Sequence, residues 1–154
     1  MAGRDYIGAC GPVRALRVSP PFNKIGWEGI TLDPEDTPLT ASDCLFCRIA
    51  AGVIPADVVY QDDHVVAFRD INPHAPVHFL VIPRRHVASL NAAQESDRDL
   101  LGRLFLAARD QARADGIAES GYRTVLNVGP DAGQVVQHVH MHVLGGRELG
   151  WPPG

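Results

Sequence analysis

The stretch Gln137-His138-Val139-His140-Met141-His142-Val143-Leu144-Gly145-Gly146 alternates histidine with an apolar residue three times in succession. This period of two predicts a β-strand with two unlike faces, because successive side chains of a strand point in opposite directions. The three histidines then lie on one face at intervals of about 6.6 Å, opposite a face of Val and Met side chains. A row of imidazoles can ligate a metal, bind phosphate or attack an electrophile, so this row is the candidate functional centre.

The composition is typical of one globular domain with some extra length. The chain has 154 residues, of which 45% are hydrophobic and 21% are charged. Its net charge of -4 provides no basic field for a phosphate backbone, so no polymeric nucleic acid is expected as a partner. No apolar run approaches the roughly 20 residues of a membrane span, and no signal-peptide pattern is present. We therefore expect a cytoplasmic protein that does not associate with membranes.

The first 42 residues are rich in Gly and Pro, and no helical or strand period persists among them. This predicts an irregular extension over residues 1–42, followed by one domain over residues 43–154. Phe22, Ile25 and Trp27 would gain from lying on an apolar surface, so the extension is either a disordered tail or an arm that lies on the domain.

Periodicity and turn residues predict two helices and five strands in residues 43–154. Ser42 or Asp43 can cap a short helix from Cys44 to Ala51, and Gly52 can end it. A longer helix is expected from Ser96, its N-cap, to residue 115, with Gly116 as the stop. The strands are expected at residues 58–60 and 65–68, which form a hairpin, at 77–82, at 122–128 and in the histidine stretch.

A glycine-containing turn, Asn127 to Gly133, leads directly into the histidine stretch. Glycines let backbone N–H groups approach an anion closely, as they do in phosphate-binding loops. Because this turn precedes three imidazoles, it predicts an oxyanion pocket beside a nucleophile.

Cys44 and Cys47 are three residues apart and form a Cys-x-x-Cys motif. Together with His86 and one histidine of the row, they make up the Cys₂His₂ set of a closed structural zinc site. The alternative is a pair of buried free thiols. A second alternative is a catalytic zinc held by His138, His140 and His142, which would keep one position for water.

The segment from His138 to Arg147 matches the His-x-His-x-His-x-x signature and resembles the histidine triad superfamily. The ending Trp151-Pro152-Pro153-Gly154 is similar to its Hint branch, the histidine triad nucleotide-binding proteins. The resemblance extends from about Asp43 to Gly154 and includes the segments Ala67–Ile71 and Ala75–Pro83.

The resemblance implies an α+β fold in which an antiparallel sheet carries one long helix and continues across a homodimer. The C-terminal Trp-Pro-Pro-Gly tail would then reach towards the other protomer's pocket. The family's activity implies an enzyme that hydrolyses purine nucleoside 5′-phosphoramidates through a nucleotidyl-histidine, with no metal needed for the chemistry.

The resemblance also implies a role for each site residue. His140 would be the nucleophile, and His142 and His78 would contact the phosphate of the purine nucleoside monophosphate. A structural zinc would be bound by Cys44, Cys47, His86 and His138. The nucleotide pocket would be formed by Asp70 at the ribose and by Phe46, Ile49, Phe68, Ile71, Asn127, Gly133, Gln134 and Val135.

Val135 departs from the family pattern, because many relatives carry Ser or Thr two residues after the pocket glycine. A hydroxyl that could bind phosphate or help to protonate the leaving group is therefore missing, which affects turnover or the choice of leaving group. Two other functions remain open: a dinucleoside polyphosphate hydrolase, and a nucleotide-binding regulatory protein in which catalysis is residual.

Overall fold

The structure, a computed structural model, describes residues 43–153. The predicted extension over residues 1–42 lies outside this range. Within the described range, no helix is long and apolar enough to cross a membrane.

Five antiparallel strands form a single sheet with the order β1-β2-β3-β5-β4, and one long helix accompanies it. The predicted α+β class is therefore confirmed. The strands are β1 (Val58–Gln61), β2 (Val65–Arg69), β3 (Val77–Pro83), β4 (Tyr122–Val125) and β5 (Met141–Gly145). The helices are α1 (Leu45–Ala50) and α2 (Arg98–Ala114).

The predicted hairpin forms between β1 and β2. Its turn is held by the Asp62 carboxylate, whose Oδ1 accepts the N–H groups of His64 at 2.7 Å and Val65 at 2.8 Å. An Asp that bonds the backbone two and three residues ahead mimics a backbone turn, which explains why this residue type lies between the two strands.

The sheet has two different faces, and the alternation in the histidine stretch assigns residues to them. Helix α2 covers the first face, where Leu104 and Ala108 pack in one cluster with Phe79 and Met141. Helix α1 covers part of the second face, where the buried side chains of its cluster are Cys44, Phe46, Ala50, Val66, Phe68, Leu80 and Ile82. The apolar residues of the histidine stretch belong to the first face, as predicted, and the histidines are directed to the second.

The histidine stretch is not one continuous strand, which corrects the sequence prediction. Strand β5 begins at Met141, so only His142 of the three histidines lies in the paired strand. The N–H of His138 bonds the carbonyl of Val136 at 2.8 Å, and the N–H of Val139 bonds that of Val87 at 2.7 Å. These bonds turn the segment before β5 away from the ladder and bring His138 beneath α1.

Two further boundaries differ from the prediction. Ser96 lies inside a 3₁₀ turn, Glu95–Asp97, and the N-cap residue of α2 is Asp97. The Asp97 carboxylate accepts the N–H of Gln94 at 2.9 Å. Strand β4 ends at Val125 because its partner in β5 is His142, near the start of that strand. The predicted helix end is confirmed by Gly116, which has a φ of 72°.

The N-cap residue of helix α1 is Cys44, the residue after the predicted candidate Asp43. Ser42, the other candidate, lies outside the described residues. The carbonyl of Cys44 accepts the first helical hydrogen bond, from Arg48, at 3.1 Å. Gly52 has a φ of 73°, which is the left-handed conformation expected after a helix end. The cap position places the first cysteine of the motif directly against the second face of the sheet.

Candidate active site and metal centre

The four predicted zinc ligands lie together beneath α1. Their ligand atoms, two Sγ and two imidazole nitrogens, are all within 4.8 Å of one another. The His138 Nδ1 atom lies 3.4 Å from the Sγ atoms of both Cys44 and Cys47, and the His86 Nδ1 atom lies 3.3 Å from Cys47 Sγ. Ligands at usual zinc distances in a tetrahedron are separated by about 3.5 Å, so this donor set fits the ion.

The backbone orients His138 for this role. Its Nε2–H donates to the Pro83 carbonyl at 2.9 Å, which leaves the lone pair on Nδ1 facing the two thiols. A histidine that ligates a metal commonly donates its other ring N–H to a carbonyl in this way. Burial lowers the pKa of His138 to about 4, against the opposing effect of the bond to Pro83, so the ring is neutral and able to ligate.

The Cys47 thiol is protonated when no metal is bound. Burial, reinforced by the neighbouring Cys44, raises the pKa of the Cys47 thiol to about 11. Zinc would have to displace this proton, so its affinity is expected to fall as the pH falls. Arg84 supports the centre, because its guanidinium donates to the carbonyl of Ala50 at the end of α1 and to that of Asp62 in the hairpin, both at 2.6 Å.

His140 is buried, with 4% of its surface exposed, and has one defined partner. Its Nδ1 lies 2.7 Å from the carbonyl oxygen of His138, and only a protonated Nδ1 can make this contact as a donor. In the neutral ring the lone pair is then on Nε2. Phe46 packs edge-on against the ring, with centroids 5.2 Å apart. The result is an imidazole whose tautomer and plane are both fixed.

His78 and His142 form a second defined pair on the same face. The His74 N–H donates to His78 Nδ1 at 3.2 Å, so the proton of the neutral His78 ring is on Nε2. That Nε2 lies 2.9 Å from His142 Nδ1. His142 accepts there and carries its own proton on Nε2, which makes it a hydrogen-bond donor at its outer nitrogen.

Both rings of this pair favour the neutral form. Burial, reinforced by the nearby rings of His140 and His78, lowers the pKa of His142 to about 4. Burial also lowers the pKa of His78, although the carboxylate of Asp70, 3.5 Å from His78 Nε2, opposes this shift. The N–H of a neutral imidazole can donate a hydrogen bond to a phosphoryl oxygen that gains negative charge.

The hydrogen bonds disfavour a catalytic metal in two arrangements. Both ring nitrogens of His138 are occupied, one by the thiols and one by Pro83, so His138, His140 and His142 do not converge on one ion. Asp70, His78 and His142 do have ligand atoms close together. However, His78 accepts at Nδ1 and therefore holds a proton on the nitrogen that faces the other two.

A cleft of about 430 Å³ opens beside His142. Five predicted site residues line it: His78, Asn127, Gly133, Val135 and His142. Val135 is 90% exposed in this cleft. Pro153 of the predicted C-terminal tail also lines it, and the remaining lining residues, to which the sequence predictions gave no site role, are His74, Arg123, Val125, Leu144, Arg147 and Leu149.

The residues predicted to surround the base do not line this cleft. Phe46 and Phe68 are buried in the cluster under α1 and meet edge-on, with centroids 5.7 Å apart. Ile49 is half-buried at the border of the same cluster, whereas Ile71 is fully exposed on the loop after β2. Asp70 lies beside His78, and its second oxygen accepts the N–H of Asn72 at 2.8 Å. The predicted base pocket remains a prediction.

Gln134 holds the glycine-containing turn in place. Its amide donates to the carbonyl of Ala88 at 2.7 Å and accepts the N–H of Gly129 at 3.1 Å. The side chain is 7% exposed and is directed into the protein. Gly129 and Gly133 have φ values of 80° and 73°, which allow the tight turn beside His142.

Sequence reasoning missed three cleft residues with polar side chains: His74, Arg123 and Arg147. Arg123 donates to the carbonyl of Gly150 at 2.6 Å, and Arg147 donates to that of His74 at 3.2 Å. Arg123 is in the short edge strand β4, and the other two residues lie just outside strands. For the two arginines, a positive charge next to the candidate site is the signal in the sequence that could have identified them.

Comparisons with known proteins agree with this geometry. The sequence model of the HIT domain family matches residues 51–149, which is more than half of the chain. An uncharacterized HIT-like protein of Synechococcus elongatus is 51% identical over 114 residues, covering 74% of this chain and 99% of that protein.

Solved structures show the same relationship. The crystal structure of a HIT family hydrolase from Legionella pneumophila has a TM-score of 0.71 at 50% identity, covering 72% of this chain and 99% of that chain. A histidine triad nucleotide-binding protein from Candida albicans has a TM-score of 0.62 at 31% identity, covering 71% and 82% of the two chains. The fold, the histidine stretch and these matches together establish that the chain belongs to the HIT domain family.

Proposed function

We propose that this protein is a nucleotidyl hydrolase of the Hint branch, which cleaves purine nucleoside 5′-phosphoramidates through a covalent nucleotidyl-histidine. The proposal draws on the words "hydrolase" and "nucleotide-binding" in the descriptions of similar proteins. The name of a relative does not specify a substrate. The geometry around His140 therefore carries the argument.

The observation that carries the proposal is the 2.7 Å contact between His140 Nδ1 and the carbonyl of His138. Because this contact places the proton on Nδ1, the Nε2 lone pair is available for attack without a separate base. The neighbouring His142 ring, with its centroid 5.2 Å away, is a donor at Nε2. A nucleophile and a neutral donor side by side suit attack on phosphorus, where an oxygen gains negative charge.

The reaction has two stages that balance. In the first, His140 Nε2 attacks the α-phosphorus, the P–N bond breaks, and the amine leaves with a proton taken from solvent. In the second, water attacks the phosphorus, the bond to His140 breaks, and one proton returns to solvent. The products are the nucleoside monophosphate and the free amine, and His140 regains its starting state.

Substrate binding follows from the same proposal. His142 would donate to a phosphoryl oxygen, supported by His78, while Asn127 and Gly133 would line the phosphate side of the cleft. Asp70 would bind the ribose. The base would be held by Phe46, Ile49, Phe68 and Ile71, and Gln134 and Val135 would contribute from the turn.

Zinc would be held by Cys44, Cys47, His86 and His138 and would crosslink α1 to the sheet. Four protein ligands close a tetrahedral shell, so the ion would contribute stability and no reacting group. His138 links the two centres, because its Nδ1 faces the thiols and its carbonyl orients His140.

The test compares hydrolysis of an adenosine 5′-phosphoramidate with that of a diadenosine polyphosphate by the full-length protein. The proposal expects a clear preference for the phosphoramidate and a trapped adenylyl group on His140 by mass spectrometry. Preference for the diadenosine polyphosphate would overturn the proposed substrate. Turnover near background combined with tight AMP binding would indicate a regulatory nucleotide-binding protein instead.

A further inference from the structure

The loop between β2 and β3, residues 70–76, contacts the His78–His142 pair through its backbone. The N–H of His74 donates to His78 Nδ1 at 3.2 Å, while the His74 side chain itself is exposed. The His78 ring is almost entirely buried, with 2% of its side-chain surface exposed. This backbone N–H, together with the Asp70 carboxylate 3.5 Å from His78 Nε2, therefore favours a proton on Nε2 of the buried ring.

The position of the proton on His78 determines which nitrogen of His142 carries the proton. Because Nε2–H of His78 donates to His142 Nδ1 at 2.9 Å, His142 carries its proton on Nε2. If the proton of His78 were on Nδ1, both rings would have to reverse, and His142 would present a lone pair towards the cleft. A lone pair would repel a phosphoryl oxygen, whereas an N–H attracts it.

Two residues that follow β5 contact the loop that contains His74. Arg147 Nη2 donates to the His74 carbonyl at 3.2 Å, across 73 positions in the chain. Gly146 has a φ of 83°, and a Cβ atom there would lie 3.1 Å from Pro76 Cβ. The backbone directly after β5 therefore packs closely on the loop. The segment that follows the strand of His142 thus contacts the loop whose backbone influences which nitrogen of His142 carries the proton.

We propose that Arg147 is a positioning residue that sets the direction of the hydrogen bonds in the His78–His142 pair through the backbone of His74. The inference rests on the proposed function, in which His142 donates to the phosphate of the substrate. Arg147 acts without touching the reacting atoms. The competing role is direct contact with the substrate, because Arg147 also lines the cleft.

The first experiment compares Arg147→Met and Arg147→Lys in the full-length protein. The protonation of each ring nitrogen of His78 and His142 is read from ¹⁵N NMR shifts, which requires no turnover. Methionine has no hydrogen-bond donor, so Arg147→Met is expected to populate the reversed arrangement and to lower kcat about tenfold while KM and AMP affinity stay within about twofold. Lys can still donate to the His74 carbonyl, so Arg147→Lys should keep the native nitrogen shifts. Arg113→Met, at an exposed arginine on α2, is the control.

The second experiment removes the decisive N–H itself. His74→Ala and His74→Pro both lose the imidazole, but only proline also lacks the backbone N–H. We expect kcat to be about tenfold lower in His74→Pro than in His74→Ala, with the reversed nitrogen shifts only in the proline variant. Thermal unfolding of both variants checks that the comparison is made on folded protein.

Unchanged nitrogen shifts in Arg147→Met would overturn the inference, and so would a raised KM as the main effect, since that result indicates direct substrate contact. Equal kcat values and equal shifts in the two His74 variants would also overturn it. The NMR measurement separates this inference from the proposed function. Wild-type protein that cleaves no phosphoramidate would refute the function, while the nitrogen shifts would still decide the role of Arg147.

Discussion

His138 Nε2 lies 2.9 Å from the carbonyl oxygen of Pro83, and this bond turns the other ring nitrogen towards Cys44 and Cys47. One histidine of the motif therefore belongs to the candidate metal centre, although it lies in a row with two candidate catalytic residues. Its carbonyl also receives the His140 Nδ1–H. The candidate metal centre should therefore support the orientation of the proposed nucleophile without taking part in the reaction.

Replacing Cys47 by Ser should lower the melting temperature by several degrees and reduce the turnover of still-folded protein much less. Loss of one ligand opens the tetrahedral shell and weakens the crosslink between α1 and the sheet. Metal analysis of protein prepared without chelator is expected to show about one zinc per chain. Chelator-treated wild type should melt like the variant; a metal content below about half of this value would count strongly against a structural zinc.

His140→Ala should remove most turnover and leave nucleotide binding largely intact. Deleting a covalent nucleophile is expected to cost at least about a thousandfold in kcat, or roughly 4 kcal/mol in the activation barrier. Binding of AMP, measured by calorimetry, should change little because the proposed ribose and base contacts do not involve His140. His64→Ala, at an exposed histidine in the β1–β2 turn, is the control. Unchanged turnover in His140→Ala would refute the mechanism.

The separation of the two sheet faces could be predicted from the sequence, because it depends on a local period of two. Val139, Met141 and Val143 are each at most 1% exposed, as this period requires. The Cys44–Cys47 pair of the candidate metal site could also be identified, since the Cys-x-x-Cys spacing is itself a local signal. His86 and His138, which are 39 and 91 positions from Cys47, were added by the family resemblance.

The start of β5 could not be predicted in the same way. His138 lies outside the ladder, where its ring meets Cys44, which is 94 positions away in the chain. Arg147 and His74 are joined by a bond of similar range, so the origin of the tautomer at His142 was hidden from sequence reasoning. Periodicity describes a segment in isolation, whereas these features come from side chains that meet only after folding.

Val135→Ser should increase the hydrolysis of phosphoramidates with poor, basic amine leaving groups more than that of activated ones. Val135 is exposed in the cleft beside His142, where a hydroxyl could donate to the departing nitrogen. Only poor leaving groups need a proton in the transition state, so the ratio of the two kcat values is the measurement. Val135→Ala removes bulk without adding a hydroxyl, and an equal change in that variant would refute the explanation.

The free energy of unfolding should decrease as the pH falls from about 6.5 towards 4, in part because of His142. Burial lowers its pKa from 6.5 to about 4 in the folded protein. Between these values the unfolded chain binds more protons than the folded one, so acid favours unfolding. Urea unfolding at about pH 7 and about pH 5 should show a smaller loss in His142→Asn than in wild type. Equal losses in the two proteins would contradict this assignment.

We expect two copies of the chain to form a dimer through two surfaces that the described residues leave uncovered. Strand β4 is at the end of the sheet order, and Phe105 and Leu106 on α2 are 55% and 51% exposed. An edge strand and exposed apolar side chains favour pairing with a second copy, in which each Phe105 could contribute about 1.5 kcal/mol. Phe105→Asp should therefore produce a monomer by sedimentation at micromolar concentration. Val53→Asp, at a residue that is 65% exposed after α1, should remain dimeric; a wild-type monomer under the same conditions would refute the prediction.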